Sequence, residues 1–170
     1  MPRRKWTWAE MLHGSNRPGH MFAAWMVSGL VVLLGLHFQN PWLMRCGFTV
    51  TIWEWLCTPD VDYASRRRPD SWFWWLICTF WLPYSWVVPH RSRFSHSLLY
   101  GLPCRFSYIL CWPLVLWTVP VMLGGENPDI NWVALDPRRY TWLFAGAALA
   151  DVVHLAKDGY GLAEMLEGKG

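Results

Sequence analysis

Apolar residues along the chain are gathered into five blocks separated by short polar connections, rather than spaced at an amphipathic period. The blocks cover residues 21–38, 42–57, 72–88, 97–123 and 140–157. The first block runs for 18 residues without Asp, Glu, Lys or Arg, close to the minimum of about 17 for a helix that spans a bilayer. We therefore predict an all-α, membrane-associated bundle of about four to five helices. We predict a single domain over residues 1–170, whose last residues, 158–170, form a tail that is either surface helix or frayed helix.

Three of the blocks have sequence features that differ from those of a straight membrane-spanning helix. Pro83 breaks the aromatic-rich third block, which we predict to be interfacial or re-entrant. The fourth block contains Pro103, Pro113 and Pro120, which predict a kinked or interrupted helix. The fifth block contains the small-residue run "AGAALA" at 145–150, which favours close packing against another helix.

Composition favours a membrane protein over a soluble one. The chain has 15 Trp residues and only 16% charged residues, against about 25% charged in a typical soluble domain. Tryptophan suits the membrane–water interface, where one end of the side chain is apolar and the other is hydrated. A soluble helical bundle with a Trp-rich core is the alternative that composition leaves open. The five cysteines lie within apolar segments and form no C-x-x-C pair, so we expect neither a disulfide framework nor a thiolate metal site.

Basic residues cluster beside the apolar blocks, at residues 3–5, at 66–68, and at Arg91 and Arg93. This placement favours anchoring at an anionic membrane face over binding to nucleic acid, so membrane lipids are the expected partners. The positive-inside rule then places the N-terminus and these clusters in the cytoplasm. We predict a multi-pass inner-membrane protein, and the sequence leaves its oligomeric state open.

Histidine and aspartate residues lie where the blocks meet the predicted cytoplasmic end of the bundle. They are His20 before the first block, Asp60 and Asp62 after the second, His90 and His96 between the third and fourth, and Asp151, His154 and Asp158 at the end of the fifth. Imidazole and carboxylate ligands suit a divalent transition ion, zinc first, with manganese or iron as alternatives. Burying so many ionisable groups near hydrocarbon is costly unless they are paired or coordinated. We therefore predict a metal site at this end of the bundle.

Each of these features also has an ordinary structural explanation when it is taken alone. His20 could be an interfacial histidine, "PDVDY" at 59–63 an ordinary turn, and "DVVHLAKD" at 151–158 a helix end with its own ion pair. Two histidines six residues apart share no helix face, so "HRSRFSH" at 90–96 requires a bent segment. Asp151 could ligate the ion or orient a ligating histidine. The coincidence of four such segments favours the metal site.

Four motifs in this order resemble a known family. They are "GSNRPGH" at 14–20, "PDVD" at 59–62, "HRSRFSHS" at 90–97 and "DVVHLAKD" at 151–158. The pattern is similar to that of a bacterial family of metal-binding proteins of unknown function. That family in turn resembles the membrane-bound metal-dependent hydrolases of bacterial inner membranes. Tyr63 departs from the hydrolase pattern, which has a histidine after P-D-x-D, and this weakens the expectation of a second metal ion.

The resemblance implies metal binding and hydrolysis. The implied metal ligands are His20, Asp60, His96, His154 and Asp158. Asp62 and His90 are further candidates, either as ligands or as the catalytic acid and base. Arg91 and Arg93 would bind a substrate phosphate, or else anchor the protein to anionic headgroups.

We therefore predict a metal-dependent, hydrolase-like membrane protein that acts on phosphoesters. The alternative is a non-catalytic membrane protein in which the ion is structural. More than four candidate ligands favour catalysis or two ions, since structural sites are usually closed by four. A metal transporter is disfavoured, because the candidates near the bilayer midplane are only Arg45, Glu54 and Arg105.

Overall fold

The computed structural model describes residues 17–66, 71–125 and 136–168, and every regular element in these ranges is helical. The α-helices are α1 (Arg17–His37), α2 (Pro41–Leu56), α3 (Trp72–Val87), α4 (Gly101–Met122), α5 (Thr141–Lys157) and α6 (Leu162–Glu167). Two 3₁₀ segments, Pro59–Arg66 and Pro137–Tyr140, precede α3 and α5. The all-α prediction is confirmed, although the described residues form six helices rather than four to five. The basic residues at 3–5 and 67–68 and the start of the first motif lie outside the described residues.

A tight turn joins α1 to α2. Gln39 adopts a left-handed conformation with φ 50°, which reverses the chain. Asn40 then caps α2, because its side-chain oxygen accepts hydrogen bonds from the N–H groups of Trp42 at 2.9 Å and Leu43 at 3.3 Å. Pro41 follows at the first helical position, where a missing N–H costs no hydrogen bond. Helix α2 therefore runs back along α1.

Helices α1, α2 and α5 pack closely through small residues. Ser28 of α1 donates a hydrogen bond to the Gly47 carbonyl of α2, with Oγ and O 2.7 Å apart. A Cβ atom at Gly146 of α5 would lie 2.6 Å from the Cys46 carbonyl oxygen of α2. Only glycine lets these two backbones come so close. The close packing predicted for the run at 145–150 is confirmed.

Aromatic side chains join α3 to α4 and to the end of α2. Trp81 stacks on Tyr108 with ring centroids 5.0 Å apart, and its indole N–H donates to the Leu56 carbonyl at 2.7 Å. Tyr84 packs against the same pair and donates its hydroxyl to the Phe94 carbonyl at 3.0 Å. This aromatic cluster fixes α3 beside the first 3₁₀ segment and the turns that follow α3.

The prolines do not break these helices. Helix α3 continues through Pro83, and α4 runs unbroken for 22 residues through Pro113 and Pro120. Pro103 lies in the first turn of α4, where backbone N–H groups have no acceptor within the helix. Of the two alternatives predicted for the fourth block, the interruption is therefore wrong, and the kink stays a prediction. The interfacial or re-entrant position of α3 stays a prediction.

The tail packs back onto the chain instead of fraying. Met165 of α6 is buried, and its carbonyl accepts a hydrogen bond from the Leu98 N–H at 2.8 Å. The Leu166 carbonyl accepts a second one from the Leu99 N–H at 3.1 Å. The tail therefore forms a surface helix, one of the two expected alternatives, and α6 contacts the turns between α3 and α4 through these two hydrogen bonds.

Helices α1 and α4 begin, and α2 and α5 end, at the same end of the bundle. His20 in the first turn of α1 stacks on His154 in the last turns of α5, with ring centroids 4.1 Å apart. Arg105 near the start of α4 pairs with Asp151 of α5. The four chain segments that carry the predicted site residues therefore meet.

Two stretches among the described residues are long and apolar enough to cross a membrane, judged by length and composition. They are Gly19–His37 in α1 and Gly101–Met122, which is the whole of α4. Only 28% of the first and 6% of the second is buried, so most of their apolar side chains face outward.

Candidate metal centre

His154 of α5 lies at the middle of the site. It is buried, and its Nδ1 lies 3.1 Å from Oε1 of Glu54 in α2. Because an ionised carboxylate can only accept, Nδ1 carries the proton in the neutral imidazole, and the lone pair that a metal ion would use is on Nε2. Nε2 has no hydrogen-bond partner among the described residues, and lies 3.6 Å from Oδ2 of Asp158 and 3.8 Å from Oδ1 of Asp60. This nitrogen is placed as a ligand, not as part of an apolar core.

His96 presents a second buried nitrogen to the same carboxylate. The segment around it is a series of turns in which the N–H groups of Ser95 and His96 both bond to the Ser92 carbonyl. Its Nδ1 lies 2.9 Å from Ser95 Oγ. Its Nε2 lies 3.8 Å from Asp60 Oδ1 and, within the described ranges, has no hydrogen-bond partner. The bent conformation predicted for 90–96 is confirmed.

His20 and Asp158 lie on the far side of His154. The His20 ring stacks on His154, and its Nε2 is 3.2 Å from Oδ1 of Asp158. Asp158 caps the C-terminus of α5, one helical turn beyond His154. Both side chains are at most 10% exposed, so they are held away from bulk water.

The five predicted ligands form two overlapping groups. The groups are Asp60, His96 and His154, and His20, His154 and Asp158. Within each group, one ligand atom per residue lies within 4.8 Å of the others. His154 belongs to both groups but has only Nε2 to offer, since Nδ1 is hydrogen-bonded to Glu54. The two groups are therefore two sides of one site, which a single ion could occupy.

The donor set fits a divalent cation. A buried polar group that lacks a hydrogen-bond partner lowers the stability of the fold by about 1–3 kcal/mol. Nε2 of His96 and Nε2 of His154 are two such groups, and a bound ion would give both of them a partner. Burial by itself lowers the pKa of His154, but the nearby carboxylates of Asp60 and Glu54 outweigh burial and raise that pKa to about 10. The centre therefore favours positive charge at His154, where a metal ion can replace a proton.

Asp62 and His90, the predicted acid–base pair, lie beside His96. Asp62 is buried, and its Oδ1 accepts a hydrogen bond from Nδ1 of His90 at 2.8 Å. Its Oδ2 accepts one from the Arg91 N–H at 3.1 Å and lies 3.5 Å from Nδ1 of His96. The His90 side chain is 31% exposed, and Arg91 and Arg93 are exposed on the same turns. The pair thus lies next to a ligand and opens towards solvent.

Asp151 belongs to the support of the site and not to its ligands. Its buried carboxylate pairs with Nη2 of Arg105 and accepts a hydrogen bond from Nε1 of Trp53 at 3.1 Å. Arg105 is fully buried, and its Nη1 donates to the Ser95 carbonyl at 2.7 Å. Arg105 and Asp151 therefore connect α5 to the turn that places His96.

Glu54 and Arg105 contact the candidate site, and the sequence patterns did not assign them to it. Arg105 is the single charged residue of α4, Glu54 shares α2 with one other charged residue, Arg45, and both Glu54 and Arg105 are buried. Such residues are rare because they are costly, so their presence inside an apolar block was itself a signal of a site.

A small cavity reaches the centre from the side of α3. Its volume is about 30 Å³, which holds one or two water molecules. Asp60 lines it together with Thr58 and apolar side chains of α3. The Asp60 side chain is 31% exposed, whereas those of His20, His96 and His154 are at most 5% exposed. Asp60 is therefore the candidate ligand that small molecules can approach.

Imidazole and carboxylate donors that converge from four segments of a helical bundle define a candidate metalloprotein. Residues 19–165 match the model of a family described as uncharacterized metal-binding protein (DUF2227), and the chain belongs to this family. The predicted relation to a metal-binding family of unknown function is confirmed. No curated protein and no solved structure shows significant similarity to the chain.

Proposed function

We propose that this protein is a membrane-embedded enzyme that hydrolyses phosphoesters with one divalent ion, either zinc or, as alternatives, manganese or iron. The proposed ligands are His20, Asp60, His96, His154 and Asp158. One observation carries the proposal: buried Nε2 atoms of His96 and His154, from remote parts of the chain, lie 3.8 Å from the same oxygen of Asp60. Imidazole and carboxylate together suit these three metals.

Access beside Asp60 supports catalysis. Structural metal sites are coordinatively closed, whereas catalytic sites keep a position for water or substrate. The cavity of about 30 Å³ at Asp60 has room for such a water. A divalent ion would polarise a phosphoryl oxygen and lower the pKa of bound water to about 7. The protein would supply the orientation of both groups and the route for the proton.

His90 is the proposed general base. Asp62 accepts the hydrogen bond from its Nδ1 at 2.8 Å, which leaves the lone pair on Nε2. The rings of His90 and His96 are 5.6 Å apart, so the base lies one side chain away from a ligand. Its 31% exposure allows the proton to pass on to solvent. Arg91 and Arg93, exposed on the same turns, are proposed to bind the substrate phosphate through their planar guanidinium groups.

The outer surface supports embedding in a bilayer. Leu116 and Met122 of α4 are 70% and 85% exposed, and α1 exposes Leu30 and Leu33 in the same way. The core helix of a soluble protein would bury such residues, and a continuous apolar surface of this kind marks a membrane or protein contact. We propose a multi-pass protein of the bacterial inner membrane, with the metal centre at the cytoplasmic end.

A structural ion is the second candidate function. It is favoured by burial, because the side chains of His20, His96 and His154 are at most 5% exposed, and an ion shielded among them would hold α1, α5 and the connecting turns together. Both functions require the metal ion. They differ in whether a coordination position of the ion beside Asp60 stays open to water or substrate.

Metal analysis and hydrolysis assays of the purified protein test the proposal. We expect about one divalent ion per chain, and hydrolysis of bis-p-nitrophenyl phosphate that stops on chelation and resumes when zinc or manganese is added. Metal without hydrolysis would support the structural ion. Wild-type protein without metal would contradict both functions.

A further inference from the structure

An apolar groove runs along the outside of the bundle, close to the metal centre. Its volume is about 340 Å³, within the range of about 300–1,000 Å³ for small-molecule sites. It lies between the end of α2, α3 and α4, and it is lined by Leu56, Cys57, Leu76, Ile77, Phe80, Trp81 and Ile109. The described residues that line it include no charged side chain. Burial raises the pKa of the Cys57 thiol to about 12, against the opposing effect of Arg105, so this side chain is neutral as well.

The groove borders the small cavity at Asp60. Ile77 and Trp81 line both, and Asp60 is among the residues that line the small cavity. The groove and the cavity therefore adjoin each other, with mainly apolar linings, and the cavity is in contact with an acidic candidate ligand. A second apolar depression of about 260 Å³ shares Leu56 with the groove and extends it along α2.

This arrangement selects for an amphipathic ligand. An apolar chain bound in the groove would cover the apolar side chains that line it. An anionic, oxygen-rich group at the other end of the same ligand would coordinate a divalent ion beside Asp60. Arg91 and Arg93 add positive charge on the turns around the centre. A soluble phosphoester without a chain would leave the groove unused.

We propose that the groove binds one acyl chain of a membrane lipid whose phosphate headgroup reaches the metal centre past Asp60. The inference rests on the proposed function and identifies its substrate class as a phosphate-bearing lipid. Ile77, at the junction of groove and cavity, determines whether the chain can enter.

Photolabelling of the metal-loaded, full-length protein in detergent tests this binding without relying on turnover. The probe is a long-chain monoacyl phosphate with a diazirine in its acyl chain, and the comparison probe is a monoacylglycerol with the same chain. We expect the phosphate probe to label residues 76–81 of α3, and chelation to reduce this labelling about tenfold. Ile77→Trp should also reduce it at least about tenfold, because the indole displaces two or more methylenes of the chain.

Thr79→Trp is the matched control. Thr79 is exposed on the same helix and lies outside the described linings of groove and cavity, so this variant should label as wild type does. Equal labelling by both probes, independent of metal and unchanged in Ile77→Trp, would overturn the inference and show ordinary contact with bulk lipid.

The same preparations separate this inference from the proposed function. Metal content should be unchanged in Ile77→Trp, because Ile77 is not a candidate ligand, and hydrolysis of bis-p-nitrophenyl phosphate is measured in the wild type and in Thr79→Trp. If the wild type binds metal and hydrolyses bis-p-nitrophenyl phosphate while headgroup-dependent labelling is absent, the groove proposal fails and the hydrolase proposal stands. If Ile77→Trp loses metal through misfolding, Leu76→Trp at the groove rim provides the second measurement with the same expected result.

Discussion

The metal centre has two walls that are built in different ways. The helical wall consists of His20, Glu54, His154 and Asp158 on α1, α2 and the end of α5. The turn wall consists of Asp60, Asp62, His90 and His96, on the first 3₁₀ segment and the turns before α4. The helical wall is buried and fixed by small-residue packing, whereas the turn wall borders a cavity and solvent. We infer that the helical wall sets metal affinity and the turn wall sets access and proton transfer.

Removal of His154 should produce the largest effect. Its Nε2 belongs to both ligand groups, so His154→Ala deletes the one donor that joins the two walls. We expect metal content to fall from about one ion per chain to background, measured by elemental analysis after gel filtration. His37→Ala, at the exposed end of α1, should keep its metal. A His154→Ala protein that still holds one ion per chain would show that the walls do not share a site.

Arg105 connects the two walls, and its loss should be the next largest effect. Arg105→Met leaves the buried Asp151 carboxylate without its cation, which costs about 3–5 kcal/mol of unfolding free energy. The turn before His96 also loses the bond from Arg105 to the Ser95 carbonyl. Denaturant unfolding in detergent measures the loss.

The double variant Arg105→Met/Asp151→Leu controls for the unpaired charge. It should recover a large part of the stability, because a buried ion pair can often be replaced by apolar side chains of similar volume. If metal affinity stays low in the double variant, Arg105 also positions His96. Recovery of both stability and metal affinity in the double variant would assign Arg105 a purely structural role.

The convergence of the site could be predicted from the sequence because helix direction alternates. Once His20 precedes one apolar block and His154 ends another, antiparallel packing must bring them to the same end. The turn that carries His96 was also predictable, since histidines six residues apart cannot share a helix face. These inferences need only the order of blocks and the spacing of residues.

The supporting residues could not be placed because hydropathy does not show where a helix begins or ends. The fourth apolar block starts at 97 by hydropathy, but α4 begins at Gly101, so Arg105 lies in the second turn of the helix and not near its middle. Glu54 lies two residues before the end of α2, at the level of the site. The contact of the tail helix with the turns before α4 is made by hydrogen bonds from Leu98 and Leu99, a tertiary contact without a local sequence pattern.

Substitution of Glu54 tests how far metal binding by the helical wall depends on the carboxylate that is hydrogen-bonded to His154. Glu54→Gln keeps the size of the side chain but removes the charge that orients His154 through Nδ1. Loss of such a partner typically weakens metal binding by about 10–100-fold. Competition with a chelator of known affinity measures this, and Glu167→Gln on the exposed surface of α6 is the control. Affinity equal to wild type would mean that packing alone orients the ring.

Substitution of His90 should have the smallest effect on metal binding, and it therefore distinguishes most clearly between the roles of the helical wall and the turn wall. His90→Gln leaves all five candidate ligands in place, so we expect metal affinity within about threefold of wild type, below the range for loss of a ligand's hydrogen-bond partner. Hydrolysis of bis-p-nitrophenyl phosphate should nevertheless fall about 10²–10⁴-fold, the usual contribution of a general base. His37→Gln should change neither quantity. If His90→Gln instead loses metal, then His90 belongs with the ligands, and the turn wall holds the ion as firmly as the helical wall does.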